Sequence, residues 1–410
     1  MARNGVLSGV SRRSFLQLST AASIAAAFGV STEAALARDD MDTEPAHGAV
    51  MINANENPRG PSLKARQAAM NVVPLGGRYA LWNADEVEKI LATQQGVPPE
   101  YVKFFPGSSL PLHYAVLAYT SPTRSYVTAD PGYEAGMYAS KSSGARIVKV
   151  PLTKTYAHDV KAMLAAAPDA GLFYVCSPNN PTGTMTSHAD IEYLVANKPR
   201  GSVVMVDEAY IHFSDGTTVL DLVKASREII VLRTFSKAYG MAGLRCGCIV
   251  ARPDIMTRVL AFSGWDAMPV TACAAAKASL LDPDLVPQRK LANAQVRSSV
   301  FAWLDRNGYS YISSESNCFM LNTKRPGKEV QTAMAAQNVY IGRIWPVMPT
   351  YVRITVGTQE EMSRFQTAFD KVMKNSVAMA VPAIPGTEAN RFARRGIDGL
   401  MVPKEYMQDV

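Results

Sequence analysis

Short strand-like runs rich in apolar residues recur along this 410-residue chain at 125–129, 147–150, 172–176, 203–206, 229–232 and 248–251, the last four unbroken by any polar residue. Runs of four or five apolar residues without alternation read as strands buried on both faces. The spacers between them are long enough for helices, so the pattern predicts βα units on a largely parallel sheet. The apolar density of 112–119 and the spacing of 294–304 predict helices, and 352–356 alternates like a half-buried strand. In open α/β sheets ligands bind beyond the carboxyl ends of the strands. Asp207 and Lys237 fall at such ends.

The residue types at those ends suggest a chemistry. Lys237, just after a buried run, is an amine whose desolvation favours the nucleophilic free base. Asp207 closes another run, where an acid is costly unless it meets a positive group such as a protonated pyridine nitrogen. Asn180 and Tyr210 can donate to a ring oxygen, and Thr234, Ser236 and Arg245 carry the hydroxyls and guanidinium that suit a phosphate. Upstream, Gly107-Ser108-Ser109 opens the expected 112–119 helix, whose first N–H groups would face an anion. Tyr133 in Asp130-Pro131-Gly132-Tyr133 can lie against a flat ring. Arg353, inside a half-buried strand, calls for a carboxylate. Together the set suits pyridoxal phosphate.

The wording and order of these segments resemble fold-type I pyridoxal-phosphate-dependent aminotransferases of class I/II, in the histidinol-phosphate aminotransferase branch. The resemblance rests on Cys176-Ser-Pro-Asn-Asn-Pro-Thr-Gly183, Val206-Asp-Glu-Ala-Tyr210, Arg233-Thr-Phe-Ser-Lys237, Ala242-Gly-Leu-Arg-Cys-Gly247 and Arg353-Ile-Thr-Val-Gly-Thr358, with Asn53-Ala-Asn-Glu-Asn-Pro58 upstream. It implies an α/β fold: a large cofactor domain at 76–290 with a mostly parallel seven-stranded sheet, and a smaller α/β domain at 48–75 and 291–378. It further implies that Lys237 bonds the cofactor aldehyde, Asp207 pairs with the ring nitrogen, and Asn180 and Tyr210 contact the ring oxygen. Gly107, Ser108, Ser109, Thr234, Ser236 and Arg245 would hold the phosphate, Tyr133 would stack on the ring, and Arg353, Arg343 and Asn57 would meet substrate. Tyr79 would reach the phosphate of a neighbouring subunit, which implies a homodimer. The family's usual Arg-Tyr-Pro is Arg78-Tyr79-Ala80 here, and the loop between Arg343 and Arg353 carries Trp345, Met348 and two prolines. That loop favours an apolar or aromatic substrate side chain alongside a phosphorylated one.

The first 37 residues add a compartment. Ser11-Arg12-Arg13-Ser14-Phe15-Leu16 precedes an alanine- and serine-rich stretch ending at Ala35-Leu36-Ala37, the pattern of a twin-arginine export signal with a small-residue cleavage site. The stretch falls short of the ~20 apolar residues of a spanning helix. The expectation is a protein handled by the twin-arginine machinery, periplasmic or otherwise exported, with no stable membrane association after cleavage. The formal charge of +7 is spread along the chain and does not point to nucleic acid. The cysteines form no evenly paired framework, and Cys176, Cys246, Cys248 and Cys273 read as packed thiols. The five histidines show no ligand spacing and read as loop or surface residues, with no metal site. Residues 379–410 lie outside the resemblance and read as an extension.

The activity expected is transamination between an amino acid or amine, aromatic or histidinol-phosphate-like, and a 2-oxo acid. A decarboxylase or oxidase of the same fold would use the same residues. A non-catalytic exported binding protein would have no need of both Lys237 and Asp207.

Overall fold

The computed structural model describes residues 30–39, 45–264 and 267–374. Most of the expected export segment and all of the 379–410 extension lie outside them. Among the described residues twelve strands follow one another: β1 (Val50–Ile52), β2 (Val102–Phe105), β3 (Ser125–Asp130), β4 (Ile147–Pro151), β5 (Ala170–Cys176), β6 (Val203–Asp207), β7 (Ile229–Thr234), β8 (Gly247–Ala251), β9 (Ser310–Tyr311), β10 (Cys318–Asn322), β11 (Val339–Ile341) and β12 (Tyr351–Thr355).

The apolar runs become the middle of a seven-stranded sheet of order β2-β8-β7-β6-β5-β3-β4. Every residue of β5, β6, β7 and β8 is buried, as expected where helices cover both faces. The β4/β3, β3/β5, β5/β6 and β6/β7 pairs are parallel, while β8 runs antiparallel to both β7 and β2. The reversal of β8 has a local cause. No helix intervenes between Thr234 and Gly247, and a parallel return needs a crossover. The chain instead folds back through the loop that carries Lys237.

Two smaller sheets hold the remaining strands: β1 parallel to β11, and the antiparallel order β12-β10-β9. They enclose their own apolar cluster, with Phe319, Leu321, Ile354, Phe365 and Phe369 fully buried. The helix Leu285–Arg306 links this cluster to the one beneath the large sheet, burying Leu285 in the latter and Val296, Val300 and Leu304 in the former. It crosses the expected boundary at residue 290 without a break.

The five cysteines are buried and unpaired, as packed thiols should be. Two histidines depart from the surface reading. His113 lies inside the buried helix Ser109–Tyr119, and His158 is sealed with Nδ1 2.9 Å from Thr186 Oγ1. Among the described residues no helix is long and apolar enough to cross a membrane.

Candidate active site

The carboxyl ends of the central strands converge on one cavity of about 290 Å3. Asp207 is the last residue of β6, Thr234 ends β7 with Ser236 and Lys237 just beyond, and Tyr133 and Asn180 follow β3 and β5. All six line the cavity, together with Ser108, Ser109, Tyr210 and Arg245.

One end of the cavity is built for an anion. Ser108 caps the helix Ser109–Tyr119 without using its hydroxyl on the helix, so the hydroxyl and the helix's free N–H groups are left for another acceptor. Gly107 has φ +95°, and a Cβ there would stand 2.2 Å from Arg245 Nη2, so only glycine lets the guanidinium lie against this loop. Arg245 Nη1 is steadied by Ala242 O at 2.8 Å. Thr234 Oγ1 accepts from the Ser236 amide at 3.2 Å and lies 3.0 Å from its hydroxyl, which turns both toward the same space. Cation, hydroxyls and helix terminus together fit a phosphate dianion.

The middle of the cavity pairs an acid with an amine. Asp207 Oδ2 accepts from the Tyr174 hydroxyl at 2.9 Å and Oδ1 from the Ala209 amide at 3.1 Å. Burial pushes its carboxyl up to about 6, against the opposing pull of these donors and of Lys237. A buried carboxylate of this kind fits a ring N–H+. Lys237 Nζ lies 3.4 Å from Ala54 O and 5.7 Å from the centre of the Tyr210 ring. Burial holds its ammonium below the usual lysine range, only partly offset by Glu33. The Tyr210 hydroxyl accepts from Asn55 Nδ2 at 3.0 Å. The donor set thus fits pyridoxal phosphate, with Lys237 the amine that would meet its aldehyde.

Behind Glu33, outside the cavity's lining, lie two arginines. Arg353, fully buried in β12, donates to Asn180 Oδ1 at 2.8 Å and to Asn53 O at 2.6 Å. Its Nη2 also pairs with Glu33 Oε1 at 2.6 Å. Arg343 pairs with Glu134 Oε1 at 2.6 Å and with Glu33 Oε2 at 3.4 Å. Trp345 lies beneath both guanidinium groups, 4.8 Å from Arg343 and 5.6 Å from Arg353, with its Nε1 donating to Gly132 O. It supports the arginines and does not line the cavity.

Besides the two arginines, two expected residues stand off the cavity. Asn57 turns its amide to Lys237 O and Ala238 O, at 3.1 and 3.2 Å, and so holds the lysine's backbone rather than facing the cavity. Tyr79 is exposed and lies outside the cavity. Asn180 lines the cavity, but its amide is shared between Arg353 and Glu33. Glu33, Asn55, Glu134 and Tyr174 were not foreseen. Asn55 sits in the Asn53–Pro58 motif and was within reach of sequence reading, whereas Tyr174 reads as one more apolar residue of a buried strand.

The chain matches the family of class I and II aminotransferases over residues 50–369. A histidinol-phosphate aminotransferase of Symbiobacterium thermophilum is 33% identical over 329 residues, covering 78% of this chain and 90% of that protein. An aromatic amino acid aminotransferase of Cutibacterium acnes is 31% identical, covering 80% of this chain and 94% of that protein. Among solved structures, the histidinol-phosphate aminotransferase of Sinorhizobium meliloti in complex with pyridoxal-5'-phosphate superposes with a TM-score of 0.73 at 24% identity, over 84% of this chain and 95% of that one. The chain therefore belongs to the class I and II aminotransferases, with the fold-type I architecture. It is a pyridoxal-phosphate-dependent enzyme of that family.

Proposed function

We propose that this aminotransferase takes as donor an amino acid with one α-carboxylate and an uncharged, preferably aromatic side chain, and passes the amino group to a 2-oxo acid. The reading rests on the 2.6 Å ion pair between Arg343 and Glu134, both largely buried. By the resemblance of the Tyr340-Ile-Gly-Arg343 segment to the histidinol-phosphate aminotransferase branch, Arg343 is the arginine that would otherwise read a distal phosphate. Its charge is already met by Glu134, so a second anion on the substrate would approach a nearly neutral pair. Arg353, whose carboxylate partner is Glu33 of the N-terminal segment, is the arginine for the α-carboxylate once Glu33 gives way, and it is held in place by Asn53 O and Asn180.

The bound cofactor supplies an electron sink for the bond broken at the substrate Cα. Lys237 takes the Cα proton, which its lowered basicity suits. Asp207 holds the proton of the ring nitrogen, Tyr210 presents its hydroxyl at the ring oxygen, and Ser108, Ser109, Ser236 and Arg245 anchor the phosphate. Comparing kcat/KM for phenylalanine, tyrosine and histidinol phosphate tests the reading. The aromatic amino acids are expected to lead, and a lead for histidinol phosphate would overturn it.

We also propose a homodimer and export by the twin-arginine route. In support of a dimer, Leu63, Met70, Val73, Tyr79, Leu81 and Trp82 expose large apolar surfaces along one stretch of chain, more than isolated surface residues account for. Export is supported by the Arg12-Arg13 pattern and the Ala35-Leu36-Ala37 site. Sedimentation of the purified protein and fractionation of cells producing the full chain check the two.

A further inference from the structure

The cavity contains part of the chain's own N-terminal region. Thr32, Glu33 and Ala34 line it alongside Lys237 and Asp207. The Glu33 carboxylate meets Arg353 Nη2 at 2.6 Å, Asn180 Nδ2 at 3.2 Å and Arg343 Nη1 at 3.4 Å. A substrate α-carboxylate at Arg353 would require this same set of donors. Apart from Glu33, Arg353 has only the neutral acceptors Asn53 O and Asn180 Oδ1, and a fully buried guanidinium without an anion is costly. An anion is therefore needed at this seat, and Glu33 supplies it when substrate does not.

The segment is placed there by a short helix, Glu33–Asp39, begun by Thr32, whose hydroxyl accepts from the Ala35 amide at 3.3 Å. Leu36 packs on the apolar cluster of the large sheet, and Ala37 is 3% exposed. Two small apolar anchors and one carboxylate make a contact that opens locally without disturbing the sheet.

We propose that residues 32–39 form a self-inhibitory strap in which Glu33 occupies the substrate carboxylate seat, so that substrate binds only when the strap leaves. The proposal rests on the reading of Arg353 given above. Because the strap lies across the Ala35-Leu36-Ala37 processing pattern, cleavage after Ala37 would remove Glu33 and leave the seat permanently open. Strap and substrate carboxylate exclude each other. A strap docked in nine molecules of ten weakens the apparent affinity of any carboxylate about tenfold.

The test uses the full, cofactor-loaded chain and 3-phenylpropanoate, a carboxylate with no amino group to react. Calorimetry is expected to show Glu33→Ala binding it about tenfold more tightly than the wild type, while Arg353→Ala binds it in neither background. In the unmutated protein, saturating 3-phenylpropanoate is expected to speed amide hydrogen exchange at 33–39. Equal affinities with and without Glu33, or exchange at 33–39 that ignores the ligand, would overturn the strap while leaving the seat intact. Binding that survives Arg353→Ala would overturn the seat itself.

Discussion

The Tyr174 hydroxyl donates to Asp207 Oδ2 across 2.9 Å, from a neighbouring strand and with both groups buried. This bond aims the carboxylate and leaves Oδ1 to the Ala209 amide. Tyr174→Phe removes a hydrogen bond to a charged group, worth about 1.5–3 kcal/mol, and is expected to lower kcat and cofactor affinity together. Asp207→Asn, which cannot hold the ring proton as an ion pair, is expected to lower kcat much further. Steady-state rates and cofactor titration of the two variants check this order, and a Tyr174→Phe enzyme with wild-type rates and affinity would contradict it.

Arg353 makes a planar, two-sided set of contacts that a lysine cannot reproduce. Arg353→Lys is expected to raise KM for amino acids by the equivalent of about 2–5 kcal/mol, with little change in the absorbance of the bound cofactor. Kinetics across donor concentrations, read beside the cofactor spectrum, distinguish lost carboxylate binding from a disordered site.

If Glu134 cancels Arg343, then freeing the arginine should admit a second anion. Glu134→Gln is expected to improve kcat/KM for glutamate, which carries a second carboxylate on its side chain, relative to phenylalanine by about 1.5–3 kcal/mol, the worth of one charge-assisted hydrogen bond. An unchanged ratio would show that Arg343 does not face the substrate side chain.

Stability should fall in acid for a reason outside the cavity. Burial pushes His158 down to about 4 from an ordinary value of 6.5. Below pH 6.5 the unfolded chain takes up protons that the folded chain refuses. This contribution is therefore whole above pH 6.5 and is lost as the pH falls toward 4. His158→Gln is expected to remove this contribution, so that between pH 6.5 and 4 its Tm falls less, relative to its value at pH 7, than that of the wild type, as calorimetry across pH would record.

The strands buried on both faces were legible because an unbroken apolar run has few other homes. The direction of β8 was not, since hydrophobicity carries no sense of direction and the missing crossover helix was the only clue. β2 was hidden by Lys103 within its four residues; the helix Leu285–Arg306 was legible over 294–304, while Gln288, Arg289 and Lys290 hid its first turns. Site residues carried in compact motifs, Asn180, Asp207, Tyr210, Thr234, Ser236, Lys237 and Arg245, meet in one cavity. Residues that act through long-range contacts were invisible. Glu134 needs Arg343, more than 200 positions away, to acquire meaning, and Glu33 needs Arg353. Asn57 shows the converse, a motif residue whose side chain serves the backbone of Lys237 instead of a ligand.

The central claim is that the Lys237 amine holds the cofactor beside Asp207. Loading the purified enzyme with pyridoxal phosphate, reducing it with borohydride and mapping the modified peptide by mass spectrometry tests this directly. The account requires one modified residue, Lys237, and a Lys237→Ala protein that neither retains the label nor transaminates. A label on another lysine, or a Lys237→Ala enzyme that exchanges amino groups at the wild-type rate, would contradict it.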